Sequence, residues 1–133
     1  MIAKIQENEI IPSDFPEDVG NKTGAIVMFE GIVRKYEGNK ELSFLYYEAE
    51  QAMAEKELMK ILMEAKARYA IQDAMAVHRI GRLMPGERSL LVKVASSHRK
   101  EGFEACLFIV DELKERVPIW KKDIYKDGTE QWH

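Results

Sequence analysis

The order of hydrophobic patterns predicts an α+β fold, a mostly antiparallel sheet with two long helices on one side. Three observations carry this. Residues 49–69, and the stretch that follows Ser97, repeat apolar residues at helical spacing. Short runs rich in β-branched and aromatic residues come in pairs before and between these helices. No Pro- or Ser-rich linker and no low-complexity tract interrupts the sequence, so residues 1–133 are expected to form one domain.

The elements follow in order. Residues 2–11 supply one short strand. Pro12-Ser13-Asp14, followed by Phe15-Pro16-Glu17-Asp18, reads as a capped short helix or turn. Residues 25–34 (AIVMFEGIVR) are apolar on both faces, which predicts a strand interior to the sheet, and Gly31 within it marks a bulge or the close approach of another backbone. A turn at Glu37-Gly38-Asn39-Lys40 leads to an aromatic-rich strand at 42–48. The two strands are expected to form a hairpin whose loop carries Arg34, Lys35 and Lys40. The first long helix, 49–69, has a core stripe of Met53, Leu58, Ile61, Leu62 and Ala65 and a wet face of Glu55, Lys56, Lys60 and Glu64. Residues 74–80 form a third strand, 81–88 a tight connection through Pro85-Gly86, and 89–97 a further strand that delivers Ser97, His98 and Arg99 to the second long helix. Pro118 ends that helix.

Composition excludes several classes of function. Hydrophobic residues make up 46% and charged residues 32% of the chain, the balance of a folded globular protein. The net charge of −3 provides no global basic field for nucleic acid, so an anion site must be a local cluster. No apolar run is long enough to span a membrane, and MIAKIQENEIIP lacks the apolar core of a secretory signal, which points to a cytoplasmic address. The three histidines show no metal-ligand spacing, and His78, on a strand, reads as packed and hydrogen-bonded rather than catalytic. The lone cysteine, Cys106, lies on the apolar stripe of the second helix and reads as a small buried hydrophobe.

Within the second helix one lysine stands where a hydrophobe is expected. Indexed at about 100° per residue from Phe103, Leu107 falls near 40°, Val110 near 340° and Lys114 near 20°. A lysine aimed at a core needs a partner or a lowered pKa, unless its stem snorkels to water from the helix end, and both readings stand. The turn at Pro118 brings Lys121 back towards Lys114, and two ammonium groups on one apolar wall each disfavour the other's charge. Such a lysine can donate or accept protons near neutral pH. Ser97-His98-Arg99 at the helix N-terminus suits an anion such as phosphate, or else Ser97 is an N-cap and the charges stay in water. Arg34, at a strand end, is a further cation able to reach a pocket.

The segments GAIVMFEGIVR, YYEAEQAMAEKEL, VHRIGRLMPGE, SSHRKEGFEAC and DELKERVPIWKK occur in the order found in the large, catalytic subunits of molybdopterin synthases, and the chain resembles that family from about Gly24 to Trp132. The resemblance implies an α/β-hammerhead-like arrangement. It also implies transfer of two sulfurs from the thiocarboxylated C-terminus of a small ubiquitin-like subunit ending in Gly-Gly to cyclic pyranopterin monophosphate. The product is the dithiolene of molybdopterin, formed without a metal or redox cofactor. It places the catalytic lysines on Lys114 and Lys121 and the substrate-binding positions on Arg34, His98, Arg99 and Phe29, although Phe29 alone reads as sheet core. It implies a homodimer within a heterotetramer. Many members run on past the tryptophan aligned with Trp132, and this chain is expected to complete its pocket without that tail's basic residues. The rival classes are a binding module that docks a ubiquitin-like protein or an anion without turnover, and an oligomeric structural domain.

Overall fold

The computed structural model describes residues 1–16 and 19–133. In chain order its elements are β1 (Ile2–Gln6), a 3-10 helix (Pro12–Asp14), β2 (Ala25–Ile32), β3 (Tyr36–Glu37), β4 (Lys40–Ala49), α1 (Gln51–Arg68), β5 (Ile71–Arg79), β6 (Gly81–Leu83), β7 (Arg88–Ser96), α2 (Arg99–Arg116), β8 (Ile119–Tyr125) and β9 (Glu130–Trp132). The α+β class and both long helices are as the sequence predicts. The strands, however, divide into two sheets. One has the order β1-β5-β7-β2, parallel between β1 and β5 and antiparallel elsewhere. The other has the order β3-β4-β8-β9, with β6 also on β4.

Period-two alternation builds the first sheet. Ala74 and Ala76 of β5, with Leu90, Val92 and Val94 of β7, face the helices and join Leu58, Ile61 and Leu62 of α1 and Ile109 and Leu113 of α2 in the main core. Met75, Val77 and Leu91 point the other way, under Ile10 and Phe15 of the N-terminal segment. Arg116 ties the helices together, reaching Glu57 at 2.9 Å and Glu64 at 2.6 Å on α1. Small residues let α2 lie close: a Cβ on Gly102 would stand 2.7 Å from Ser96 Oγ and 2.9 Å from Val27 Cγ2.

Several expectations need correction. β2 is an edge strand, not an interior one, and Ile26, Met28 and Ile32 on its outer face are exposed. Apolar residues on both faces therefore mark a surface that this chain leaves uncovered. Gly31 marks a bulge, since the register with β7 shifts after it; what crowds it is side chain rather than another backbone, a Cβ there meeting Ser89 Oγ at 3.1 Å and Leu90 Cβ at 3.3 Å. β2 and β4 do not form a hairpin, because β4 turns back on the short β3 and belongs to the second sheet. Met53 is exposed and Ala54 takes its place in the α1 stripe; Glu50 caps that helix by accepting from Met53 N at 2.7 Å. Residues 81–83 are a strand paired with β4, not merely a connection. The N-cap of α2 is His98, not Ser97, whose hydroxyl instead accepts from Gln72 Nε2. The 3-10 turn lies where expected, while Glu17 and Asp18 fall outside the described residues.

Candidate functional site

Beyond Pro118 the chain does not trail off but enters β8, antiparallel to β4 along nearly its whole length. Pairing of Leu45 with Asp123 and of Tyr47 with Lys121 fixes the register. Alternation then turns Ile119, Lys121, Asp123 and Tyr125 inward and Trp120 and Lys122 outward. The inward face meets the last turns of α2 and the ends of β2, β5 and β7 around a cavity of ≈ 490 Å³, a size suited to a small organic ligand.

The cavity has three parts. Its walls are apolar: Leu45 of β4, Leu90 of β7, Leu113 and Val117 at the end of α2, and Ile119. Its cations are Arg34, Lys114 and Lys121. Its floor is polar and neutral or anionic, built from Tyr47, His78, Ser89 and Asp123, with His133 alongside.

Each floor group has a defined state. His78 is 6% exposed, and its Nδ1 lies 2.7 Å from the carbonyl oxygen of Arg79. A carbonyl only accepts, so Nδ1 carries the proton and Nε2 bears a lone pair. Burial drives this imidazole down from 6.5 to about 4, against the opposing backbone hydrogen bond, so it is neutral at physiological pH. The Tyr47 ring meets it edge-on, with centroids 4.7 Å apart. Burial also raises the Tyr47 phenol; nearby Asp123 adds to this, while a hydrogen bond with Ser89 opposes it.

Asp123 is 3% exposed. Its Oδ2 accepts from His133 Nε2 at 2.8 Å and from the Tyr125 hydroxyl at 3.4 Å. Its Oδ1 is buried without a hydrogen bond, the Lys121 ammonium standing 3.6 Å away as an ion pair. Burying an acceptor without a hydrogen bond costs about 1–3 kcal/mol, which the Lys121 ion pair offsets in part.

The predicted site residues divide into two groups. Lys114, Lys121, Arg34 and Phe29 line the one cavity. Phe29 is 36% exposed there, so the reading of it as sheet core is wrong: it sits two residues beyond Val27, which does pack on the core. Arg34 is exposed and pairs with Glu37 at 2.9 Å. Lys114 is exposed as well, and the reason for singling it out needs correction. The buried stripe of α2 runs through Ala105, Cys106, Ile109 and Leu113, while Phe103 and Leu107, which share the Lys114 direction, are exposed at 61% and 63%. Lys114 is thus a rim residue leaning over the cavity, not a lysine in the core.

His98 and Arg99 do not join this group. They are exposed at the start of α2, about 24 Å from Lys114 along the helix at 1.5 Å per residue. Asp123, Tyr47, Ser89, His133 and the cavity position of His78 escaped the sequence reading. The available signal was the alternation of residues 119–125, which puts Asp123 on the Lys121 face as soon as the segment is read as a strand. Among the described residues, no cluster of His, Cys, Asp or Glu could hold a metal ion, and no helix is long and apolar enough to cross a membrane.

Comparison with known proteins adds an independent line. The chain is 45% identical over 131 residues to the molybdopterin synthase catalytic subunit of Thermoplasma volcanium, covering 98% of this chain and 96% of the relative. It is 47% identical over 108 residues to the protein of the same name from Pyrococcus abyssi, covering 81% of this chain and 73% of the relative. Its fold is similar to the crystal structure of molybdopterin synthase from Staphylococcus aureus, with a TM-score of 0.92 at 34% identity over 98% of this chain and 95% of that one. A model of the family described as MoaE protein matches residues 5–116, and the chain belongs to that family.

Proposed function

We propose that the chain is the catalytic subunit of a molybdopterin synthase, acting as a sulfurtransferase. It takes two sulfurs from the thiocarboxylated C-terminus of a small ubiquitin-like subunit ending in Gly-Gly and adds them to cyclic pyranopterin monophosphate, forming the molybdopterin dithiolene. The observation that carries this reading is the meeting of Lys114 and Lys121 in one apolar-walled cavity, although they come from different elements. The name shared by the relatives, a catalytic subunit, supports the existence of a further subunit.

In this reading Arg34 and Lys121 hold anionic groups, Arg34 by exchanging its exposed Glu37 partner for phosphate oxygens. Release of sulfur from the partner's acyl group passes through a tetrahedral intermediate that carries negative charge. The Lys114 ammonium stabilises that charge or passes a proton to it. Asp123 keeps Lys121 aimed inward. His98 and Arg99 are too far along α2 to serve their own chain's cavity, so their anion-binding role belongs to the cavity of a second copy in a homodimer. The uncovered apolar residues of β2, with Phe103 and Leu107 of α2, offer a surface for that copy.

The test is Lys114→Ala assembled with the thiocarboxylated small subunit and supplied with cyclic pyranopterin monophosphate. Sulfur transfer is expected to fall by about 10²-fold or more, with unchanged circular dichroism and unchanged co-purification of the small subunit. Turnover near that of the parent chain would remove Lys114 from the mechanism.

A further inference from the structure

The segment VHRIGRLMPGE stands out in the sequence, yet most of it lies away from the proposed chemistry. Among the described residues, none from Arg79 to Arg88 lines the cavity. What this segment grips instead is the backbone beside Arg34. The β2–β7 ladder ends at Ile32, and Val33, Arg34 and Lys35 belong to no strand. Val33 N donates to Glu87 O at 2.9 Å, and Gly86 N donates to Val33 O at 2.8 Å. On the other side of Arg34, Leu42 N donates to Lys35 O at 2.7 Å. The Arg34 backbone is therefore pinned through both of its neighbours, although its side chain is exposed.

The clasp on Val33 is held in turn by side chains. Pro85 and Gly86 form the middle of a turn closed by Glu87 N on Met84 O at 3.1 Å, and Gly86 has φ 90°, a conformation that favours glycine. The Glu87 carboxylate secures this turn at two points. Its Oε1 accepts from Met84 N at 2.6 Å, and its Oε2 accepts from Arg79 Nη1 at 2.7 Å. The Arg79 side chain is only 13% exposed, and its Nε donates to Glu7 O at 2.9 Å, which anchors it just past β1. Without the carboxylate, the turn loses a bond and a largely buried guanidinium loses its counter-charge.

We propose that Arg79 and Glu87 are positioning residues for Arg34: the pair holds the turn at 84–87 against Val33 and so sets where the Arg34 guanidinium stands over the cavity. The proposal rests on the reading of Arg34 as a holder of the substrate's anionic group and adds what fixes its reach. Lys114 and Lys121 come from α2 and β8, which the pair does not touch. Loss of the pair therefore displaces one cation of the rim and leaves the two lysines in place. The effect falls on substrate affinity rather than on the chemical step.

The experiment measures kcat and KM for cyclic pyranopterin monophosphate in the assembled synthase, comparing the parent chain, Glu87→Ala, Arg34→Ala and the double variant. Glu87→Ala is expected to raise KM by about fivefold or more, with kcat within about twofold of the parent. In the Arg34→Ala background the same change is expected to move KM by less than about twofold, because the cation that the pair places is gone. Glu87→Gln keeps an acceptor for Met84 N and is expected to recover part of the lost affinity. Glu87→Asp, too short to hold both Met84 N and Arg79, carries the same comparison if Glu87→Ala does not fold. An unchanged KM in Glu87→Ala, or an equal rise with and without Arg34, overturns the positioning role while the substrate reading stands. Arg34→Ala with the parent KM overturns the anion-holding role of Arg34, and the positioning role falls with it. A parent synthase that does not turn over the pyranopterin overturns the substrate reading itself, and the positioning role with it.

Discussion

Acidification is expected to weaken the fold through His78, and the size of the effect follows from its surroundings. The unfolded chain titrates this imidazole near 6.5, whereas in the fold burial lowers it to about 4. Between those values the unfolded state binds a proton that the folded state refuses, so stability falls as pH falls. The contribution is fully present above about pH 6.5 and exhausted below about pH 4. At 1.36 kcal/mol per unit, the loss across the window is about 3 kcal/mol, a sizeable share of the 5–15 kcal/mol typical of a whole domain.

Other groups also respond to acid. Hydrogen bonds from Arg79 and from Met84 N hold the Glu87 carboxylate low, and Thr129 does the same for Asp127, so both lose stabilisation at the acid end of the window. These groups are common to the parent chain and to His78→Gln, and the difference between the two isolates the imidazole. The assay is urea denaturation of both proteins at fixed concentration, from about pH 7 to about pH 4. The variant is expected to be less stable near neutrality and to lose less on acidification, so that the gap moves in its favour by about 3 kcal/mol. Parallel stability curves for the two proteins would refute the buried neutral imidazole.

Two further outcomes test the packing. Gly102→Ala is expected to destabilise the chain by about 1–3 kcal/mol, because the new methyl would press on Ser96 Oγ and Val27 where α2 meets the sheet; a calorimetric melt reads this, and an unchanged midpoint would contradict the contact. Cys106 is 6% exposed, and burial pushes its thiol up to about 11, so iodoacetamide is expected to leave it unmodified in the folded protein at mildly alkaline pH and to label it fully in denaturant, as scored by intact mass.

The sequence was most legible where a single period persisted. α1 and α2 emerged from their 3.6-residue spacing, and β5 and β7 from compact β-branched runs bounded by Gly and Pro. It was least legible where long-range pairing decided the outcome. The apolar faces of β2 do not state whether a neighbour strand or open space lies beyond, and only the pairing order places this strand at the edge. The separation into two sheets is equally non-local, because β4 chooses β8, some seventy residues onward, over its neighbour β2. Lys114 and Lys121 were found from residue type, resemblance and the turn at Pro118, yet the helical phase assigned to Lys114 was drawn through Phe103 and Leu107, which this chain leaves exposed. His98 and Arg99 share motif character with the lysines but not a cavity, and no local pattern encodes their separation along the 18-residue α2. His78 was judged correctly as packed and hydrogen-bonded, but which space its second nitrogen faces depends on elements far away in the chain.

The ladder between β4 and β8 has a consequence for how this segment tolerates change. Substituting a residue in 119–125 alters one side chain, whereas inserting or deleting one reverses the orientation of every residue beyond it. A single-residue deletion just after Pro118 would rotate the carboxylate and its ammonium neighbour outward and drive Trp120 and Lys122 into the hole they vacate. Length, more than identity, is therefore the strictest constraint on this stretch, and a library that varies its spacing would lose the inward pair of Lys121 and Asp123 while leaving the helices and the first sheet intact.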